Sequence, residues 1–242
     1  MKENDEQIGH LLSRREVIAW LGTAGIACLS GWPHKAQASG SPRSLCIVRP
    51  EQTEGPYFVD ERLHRSDIRI DPANGQVKPG VPLTLILQVM RLNASGCFPL
   101  SDALVDIWQC DAQGVYSDVE DPGFNTRGQK FLRGYQVTNA QGEARFLTIY
   151  PGWYPIRTVH IHFKIRAAAI TGKNFEFTSQ LYFPDELTDH VHTALLYSSK
   201  GRRGVRNHRD FIFRNGGDQL TLKPLETNGG YAVTFPIGLQ LP

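Results

Sequence analysis

From Pro82 onward the chain is a succession of short apolar runs of strand length, separated by clusters of turn-forming residues. The runs are LTLILQV (83–89), LVDIWQC (104–110), LRGYQVT (132–138), ARFLTIY (144–150), TVHIHFKI (158–165), FTSQLYF (177–183), QLTLKPL (219–225) and YAVTFPI (231–237). Strands at this spacing, without helices between them, predict an all-β fold, an antiparallel β-sandwich. Asn139-Ala140-Gln141-Gly142 reads as a hairpin turn between two of the runs. A helical pattern follows Pro184, in DELTDHVHTALLY, so one or two short helices are expected there. Residues 39–80, rich in Pro, Gly and Arg, predict an extended N-terminal arm packed on the sandwich. The basic stretch SSKGRRGVRNHRD (198–210) predicts a solvated loop.

In the run 158–165, alternation places His160 and His162 on one face and Val159, Ile161 and Phe163 on the other. Two imidazoles so placed either converge on an ion or stack as a polar pair. His190 and His192 repeat the spacing inside the helical pattern, where positions two apart point about 200° away from each other. That second pair cannot converge and reads as structural or surface. After residue 38 the other histidines are His64 and His208, in the arm and the basic loop. A zinc or copper site would need more His, Cys or carboxylate than this. Tyrosines stand closer: Tyr154 lies six residues before His160, and Tyr116 follows a strand and the turn Asp111–Gly114. Either tyrosine alone would ordinarily be core. Two phenolates and two imidazoles together suit ferric iron, because a trivalent ion drives phenol deprotonation far below the free value of about 10. Two tyrosinates and a hydroxide cancel the ion's charge, so such a site can be buried.

The N-terminus carries Arg14-Arg15, an apolar run from Val17 to about Trp32, and the small-x-small sequence Ala36-Gln37-Ala38. This is the layout of a twin-arginine signal peptide over residues 1–38. The apolar run is short of the roughly 20 residues of a membrane span. Cys28 is not expected to anchor a lipoprotein, since Gly25 stands where an aliphatic residue is preferred. The expectation is export to the periplasm or beyond, with no membrane association after cleavage. The twin-arginine route carries folded proteins, a common reason being a cofactor loaded in the cytoplasm. Residues 39–242 then form one domain. Cations and anions balance within the signal, so the chain's net charge of +2 belongs to that domain and does not suggest a nucleic-acid partner. Its cysteines, Cys46, Cys97 and Cys110, allow one disulfide at most.

The segments TEGPYF (53–58), VDIWQCDAQGVYS (105–117), VTNAQGEARFLTIYPGWYP (137–155), RTVHIHF (157–163) and TSQLYF (178–183) resemble the intradiol ring-cleavage dioxygenases, most closely the protocatechuate 3,4-dioxygenase type. They occur in the family's order. The resemblance implies one non-haem Fe(III) per chain, held by Tyr116, Tyr154, His160 and His162, with Tyr154 and His162 axial. It implies that Arg157 and Gln180 act in catalysis beside Tyr154. Tyr57, in a segment that lines the site from a partner chain in the two-subunit enzymes, is expected to line the substrate pocket. Strict alternation would put Arg157 opposite His160, so it must precede the strand proper or sit in a bulge. Ile156 stands where the protocatechuate enzymes carry a tryptophan, and Thr158-Val159 replaces their Pro-Ala, which implies a different pocket wall.

The implied reaction is cleavage of a catechol-type ring by O2 between its two hydroxyl-bearing carbons, giving a cis,cis-muconate-type dicarboxylate. No reduced cofactor is called for, which suits an exported enzyme. A homo-oligomer is compatible with the resemblance. The competing readings are a β-sandwich that binds a ligand without catalysis, and a copper or zinc β-sandwich enzyme.

Overall fold

The computed structural model describes residues 46–168 and 174–241. The signal reading, residues 1–38, lies outside the described residues. Two sheets face each other. In the first, β1 (Pro82–Asn93) is central. It pairs in parallel with β11 (Gly230–Gln240), and antiparallel with β7 (Glu143–Ile149) and β2 (Gly96–Pro99). β10 (Leu225–Thr227) pairs with β11 at the edge. The second sheet runs β6-β3-β8-β9, comprising Arg133–Val137, Leu104–Trp108, His160–Ala168 and Asn174–Tyr182, and is antiparallel throughout. A small ribbon, β4 (Glu120–Asp121) with β5 (Phe124–Asn125), follows Tyr116. The expected sandwich is present, with one parallel pair inside it.

Period-two patterning sets the register. Leu83, Leu85, Leu87 and Val89 all point inward from β1 and are fully buried. Each is worth about 2 kcal/mol of burial, and a one-residue slip would expose all four at once. Across the core, Val105 and Ile107 of β3 pair with Ile165 and Phe163 of β8, and Ile161 pairs with Leu181 of β9.

The outer face of the second sheet is not a wet face. Asp106, His160, His162, Lys164 and Gln180 emerge there, and all are buried. Residues 50–58 run as a strap along the outer edge of β9 and over this face. The Gln52 amide donates to the Thr178 carbonyl (2.9 Å), Ser179 Oγ to the Pro50 carbonyl (2.8 Å), and Gln180 Nε2 to the Thr53 carbonyl (2.8 Å). On either side of the strap in sequence, Val48, His64 and Asp67 make single bridges to Gly238, Tyr135 and Leu147. Cys46 and Cys97 form a disulfide, and Cys110 is free and buried.

Three local expectations need correction. The turn at 139–142 forms, with the Gly142 amide donating to the Asn139 carbonyl (2.8 Å), but β6 and β7 on either side of it belong to different sheets. A tight turn fixes chain reversal and not pairing, and each strand finds a better apolar partner elsewhere. The run 219–225 is not a strand: turns continue to Leu220, Thr221 makes one bridge to Tyr182, and pairing resumes only at Leu225. The basic stretch 198–210 is not simply solvated. Arg203 is largely buried against Asp185 and Asp189 of α1 (Asp185–Val191), and Asn207 and Asp210 are buried. A second short helix, α2 (Leu195–Ser198), precedes that stretch. Among the described residues no helix is long and apolar enough to cross a membrane.

Candidate metal and catalytic centre

The buried outer face of the second sheet carries two cross-strand rows. Trp108, His162 and Gln180 are register partners across β3, β8 and β9, and His160 pairs with Tyr182 one row above. The indole of Trp108 lies flat against His162, at 5.0 Å between centroids and 8° between planes. Gly55 of the strap (φ 72°) sits so close that a Cβ would stand 3.3 Å from His162 Cε1. The His162 ring is thus packed against both an aromatic face and the strap backbone.

Two loops bring the tyrosines. Asp111 Oδ1 accepts the amides of Gln113 (2.9 Å) and Val115 (3.0 Å), folding 111–115 into a turn that projects Tyr116. Thr126 Oγ1 then donates to the Tyr116 carbonyl (2.6 Å). The Gly152 amide donates to the Asp111 carbonyl (3.0 Å), joining this turn to the segment that carries Tyr154. The contact is backbone on backbone: a Cβ on Gly114 would meet the Trp153 oxygen at 2.1 Å, and one on Gly152 would meet the Ala112 oxygen at 2.3 Å.

At the centre, His160 Nε2 lies 3.0 Å from His162 Nε2 and 3.1 Å from Tyr154 Oη. His160 Nδ1 donates to the Thr158 carbonyl (2.6 Å), which assigns its proton and leaves Nε2 with a lone pair turned inward. Burial holds both imidazoles well below the ordinary histidine value, with Arg157 adding to it, so they are neutral. Tyr116 Oη is buried without a hydrogen-bond partner. Burial pushes the Tyr116 and Tyr154 phenols up, at Tyr154 against the pull of Arg157. The protein alone thus crowds two imidazole nitrogens and the Tyr154 hydroxyl together beside a phenol, Tyr116, that lacks a well-formed hydrogen bond, a costly arrangement in a buried site. A cation bound by two imidazole nitrogens and two phenolate oxygens resolves it, and this mixed set fits a hard trivalent ion. No group of three or more His, Cys, Asp or Glu stands together among the described residues.

Arg157 lies ahead of β8, as its spacing from His160 requires. The preceding Ile156 adopts a left-handed conformation (φ 66°), which turns the chain so that the guanidinium reaches the outer face. Arg157 Nε donates to Asp210 Oδ2 (2.8 Å) and Nη2 to Gln180 Oε1 (2.6 Å), while Nη1 stands 3.5 Å from His160 Nε2. Burial works against the charge, yet Tyr154 and Asp210 carry Arg157 above its ordinary value. Tyr57 stacks on Tyr116 with centroids 4.3 Å apart, and its hydroxyl donates to Asp121 Oδ2 (2.8 Å). Burial and Asp121 push the Tyr57 phenol up to about 12. His192 donates to the Pro151 carbonyl (3.0 Å) and stacks on Tyr197, while His190 is exposed.

All the residues singled out from sequence, Tyr57, Tyr116, Tyr154, Arg157, His160, His162 and Gln180, therefore fall in one cluster, and the second histidine pair stays outside it. Sequence reading missed Trp108, Asp121 and Asp210, and took Thr158 only for a change in the pocket wall. Only Trp108 carried a local signal, as an outward-facing aromatic in a strand whose neighbours face the core.

Comparisons with known proteins place the chain among the dioxygenases. A family model described as "Dioxygenase" matches residues 53–208. The protocatechuate 3,4-dioxygenase beta chain of Burkholderia cepacia is 34% identical over 125 residues, covering 48% of this chain and 52% of that one. The chain thus spans about half the length of that relative. An intradiol ring-cleavage dioxygenase from Tetranychus urticae superposes with a TM-score of 0.68 at 28% identity, over 81% of this chain and 95% of the other. The dioxygenase domain of a dioxygenase–carbohydrate-binding protein fusion from Streptomyces sp. SirexAA-E gives a TM-score of 0.55 at 29% identity, over 81% and 100%.

Proposed function

We propose, on the premise that this chain belongs to the dioxygenase family whose model covers its residues 53–208, that it is a non-haem Fe(III) intradiol ring-cleavage dioxygenase acting on a catechol-type substrate. The observation that carries this reading is the convergence of His160 Nε2, His162 Nε2 and Tyr154 Oη, with the buried Tyr116 Oη left without a partner. These four residues would hold the ion. The chemistry that ferric iron supplies when bound is withdrawal of electron density from a chelated catecholate, which opens the ring to attack by O2.

The remaining work falls to the protein. Tyr116 is fully buried, whereas Tyr154 is only partly so, which makes Tyr154, held as a phenolate by the ion, the ligand that would yield to an incoming diol and take its proton at Oη. The Thr158 carbonyl keeps the proton on His160 Nδ1 throughout. Arg157, an obligate cation with Nη1 turned toward the metal-binding atoms, stabilises negative charge on the substrate oxygens and ring. Tyr57 covers Tyr116 and walls the site beside Tyr154. Trp108, Gly55 and the strap exclude water from His162. The product of this reaction is a cis,cis-muconate-type dicarboxylate. Export by the twin-arginine route completes the proposal and rests on Arg14-Arg15 and the apolar run behind them.

The test is to purify the folded protein from iron-replete cells, measure iron, and record the visible spectrum. One iron per chain, a tyrosinate-to-Fe(III) charge-transfer band, a shift of that band on adding catechol, and oxygen uptake are expected. A colourless, iron-free protein would defeat the reading. A coloured protein whose band ignores every catechol favours a site retained without catalysis.

A further inference from the structure

Asp210 lies two residues beyond the span matched by the family model, in a stretch that composition assigns to solvent. Its side chain is instead completely buried and accepts four hydrogen bonds. Oδ2 takes Arg157 Nε (2.8 Å) and the Thr158 amide (2.7 Å); Oδ1 takes the amides of Ile212 (2.8 Å) and Phe213 (3.0 Å). A buried carboxylate is tolerable only when so satisfied. Three of its donors are backbone, so the carboxylate stays fixed whatever Arg157 does. Neighbouring contacts fix its own loop: Asn207 accepts from Thr158 Oγ1 (2.7 Å) and donates to the Phe183 carbonyl (2.8 Å).

The guanidinium has three nitrogens, and two of them are held by oxygen acceptors. Nε is held by Asp210 and Nη2 by Gln180, which leaves Nη1 toward the centre. An arginine side chain has several free torsions, and a single partner would leave it able to swing. Two partners at adjacent corners of a planar fork fix its position and its plane. We propose that Asp210 is a positioning residue for Arg157, the carboxylate that aims Nη1 at the site where substrate charge develops. The proposal rests on the dioxygenase reading for its catalytic consequence, but not for the geometry of the fork.

The first measurement needs no turnover. In Arg157→Ala, the space beside Asp210 and Gln180 accepts a free guanidinium ion, so millimolar guanidinium chloride is expected to raise the melting temperature saturably. Arg157→Ala combined with Asp210→Asn is expected to show no such rise. Absence of a saturable rise in the single variant, or an equal rise in the double variant, overturns the proposal.

The second measurement is a kinetic cycle at equal iron content. Asp210→Asn is expected to lower kcat for catechol oxygenation about 10- to 100-fold, with KM and the catechol-induced spectral shift nearly unchanged. In an Arg157→Lys background, whose ammonium cannot form the fork, Asp210→Asn is expected to cost less than about twofold more. Equal losses in both backgrounds would mark Asp210 as merely structural. A wild-type protein without catechol-dependent oxygen uptake would sink the dioxygenase reading, and the guanidinium titration would still decide the fork.

Discussion

Gly152 packs against Ala112 so closely that a methyl group on it would stand 2.3 Å from the Ala112 carbonyl oxygen. This contact couples the turn that projects Tyr116 to the segment that carries Tyr154. The obstructing atom is backbone, so a Cβ cannot be accommodated by a rotamer change, and the two loops must separate. Gly152→Ala is expected to cost about 1–3 kcal/mol of stability and to lower iron retention, because both phenols move. Thermal unfolding together with iron stoichiometry checks this; a variant with wild-type values in both would show that the loops tolerate separation.

The four proposed iron ligands separate from the other histidines by a direct comparison. Tyr154→Phe and His160→Ala are each expected to impair iron retention or turnover. His192→Ala should spare both, since His192 contacts the Pro151 carbonyl and Tyr197 and stands outside the cluster of Tyr116, Tyr154, His160 and His162. Equal losses across the three variants would overturn the assignment of the two pairs.

Burial gives the metal-free protein a defined pH profile. His160, His162 and His192 are all held below the ordinary histidine value, chiefly by burial. Below pH about 6.5 the unfolded chain therefore takes up protons that the native chain refuses. Stability is full above that pH and falls as the pH drops, by as much as about 1.4 kcal/mol per pH unit for each group. Tyr116, Tyr150 and Tyr154 are raised by burial, so stability also falls once the pH rises above about 10, where the unfolded phenols ionise first. Urea midpoints of the metal-free protein should accordingly form a plateau between these limits. No decline between pH 6.5 and 5 would contradict the neutral-imidazole assignment.

Ile156 holds a left-handed conformation while 75% exposed, a rare combination for a β-branched residue. Its side chain contributes little burial to offset a conformational cost of about 1–2 kcal/mol. Ile156→Gly removes that cost but adds flexibility to the unfolded chain, so a net stabilisation of about 0.5–1 kcal/mol is expected. Chemical denaturation reads the change. A clear destabilisation would mean that the isoleucine side chain itself braces Arg157.

Much of the site was legible because strand alternation is strictly local. Period two put His160 and His162 on one face, and the 200° offset of a helix disqualified His190 and His192. Arg157 was legible only as a constraint: three residues from His160, it had to lie before the strand, and the left-handed turn at Ile156 is how it does so. The turn at Asn139–Gly142 was read correctly as a turn and wrongly as a hairpin, since local chemistry reverses a chain without choosing the sheet that receives it.

The sequence by itself determined the alternating apolar faces and the donor types that the centre can offer. The tertiary structure alone decided which residues support them. Trp108 meets His162 through strand register, Gly152 meets Ala112 where two loops cross, and Asp210 meets Arg157 across 53 residues of chain. Such contacts have no period and no short-range spacing. They exist only once burial has fixed the sheets, and in that dry interior an unpaired arginine or carboxylate would be costly enough to require its partner.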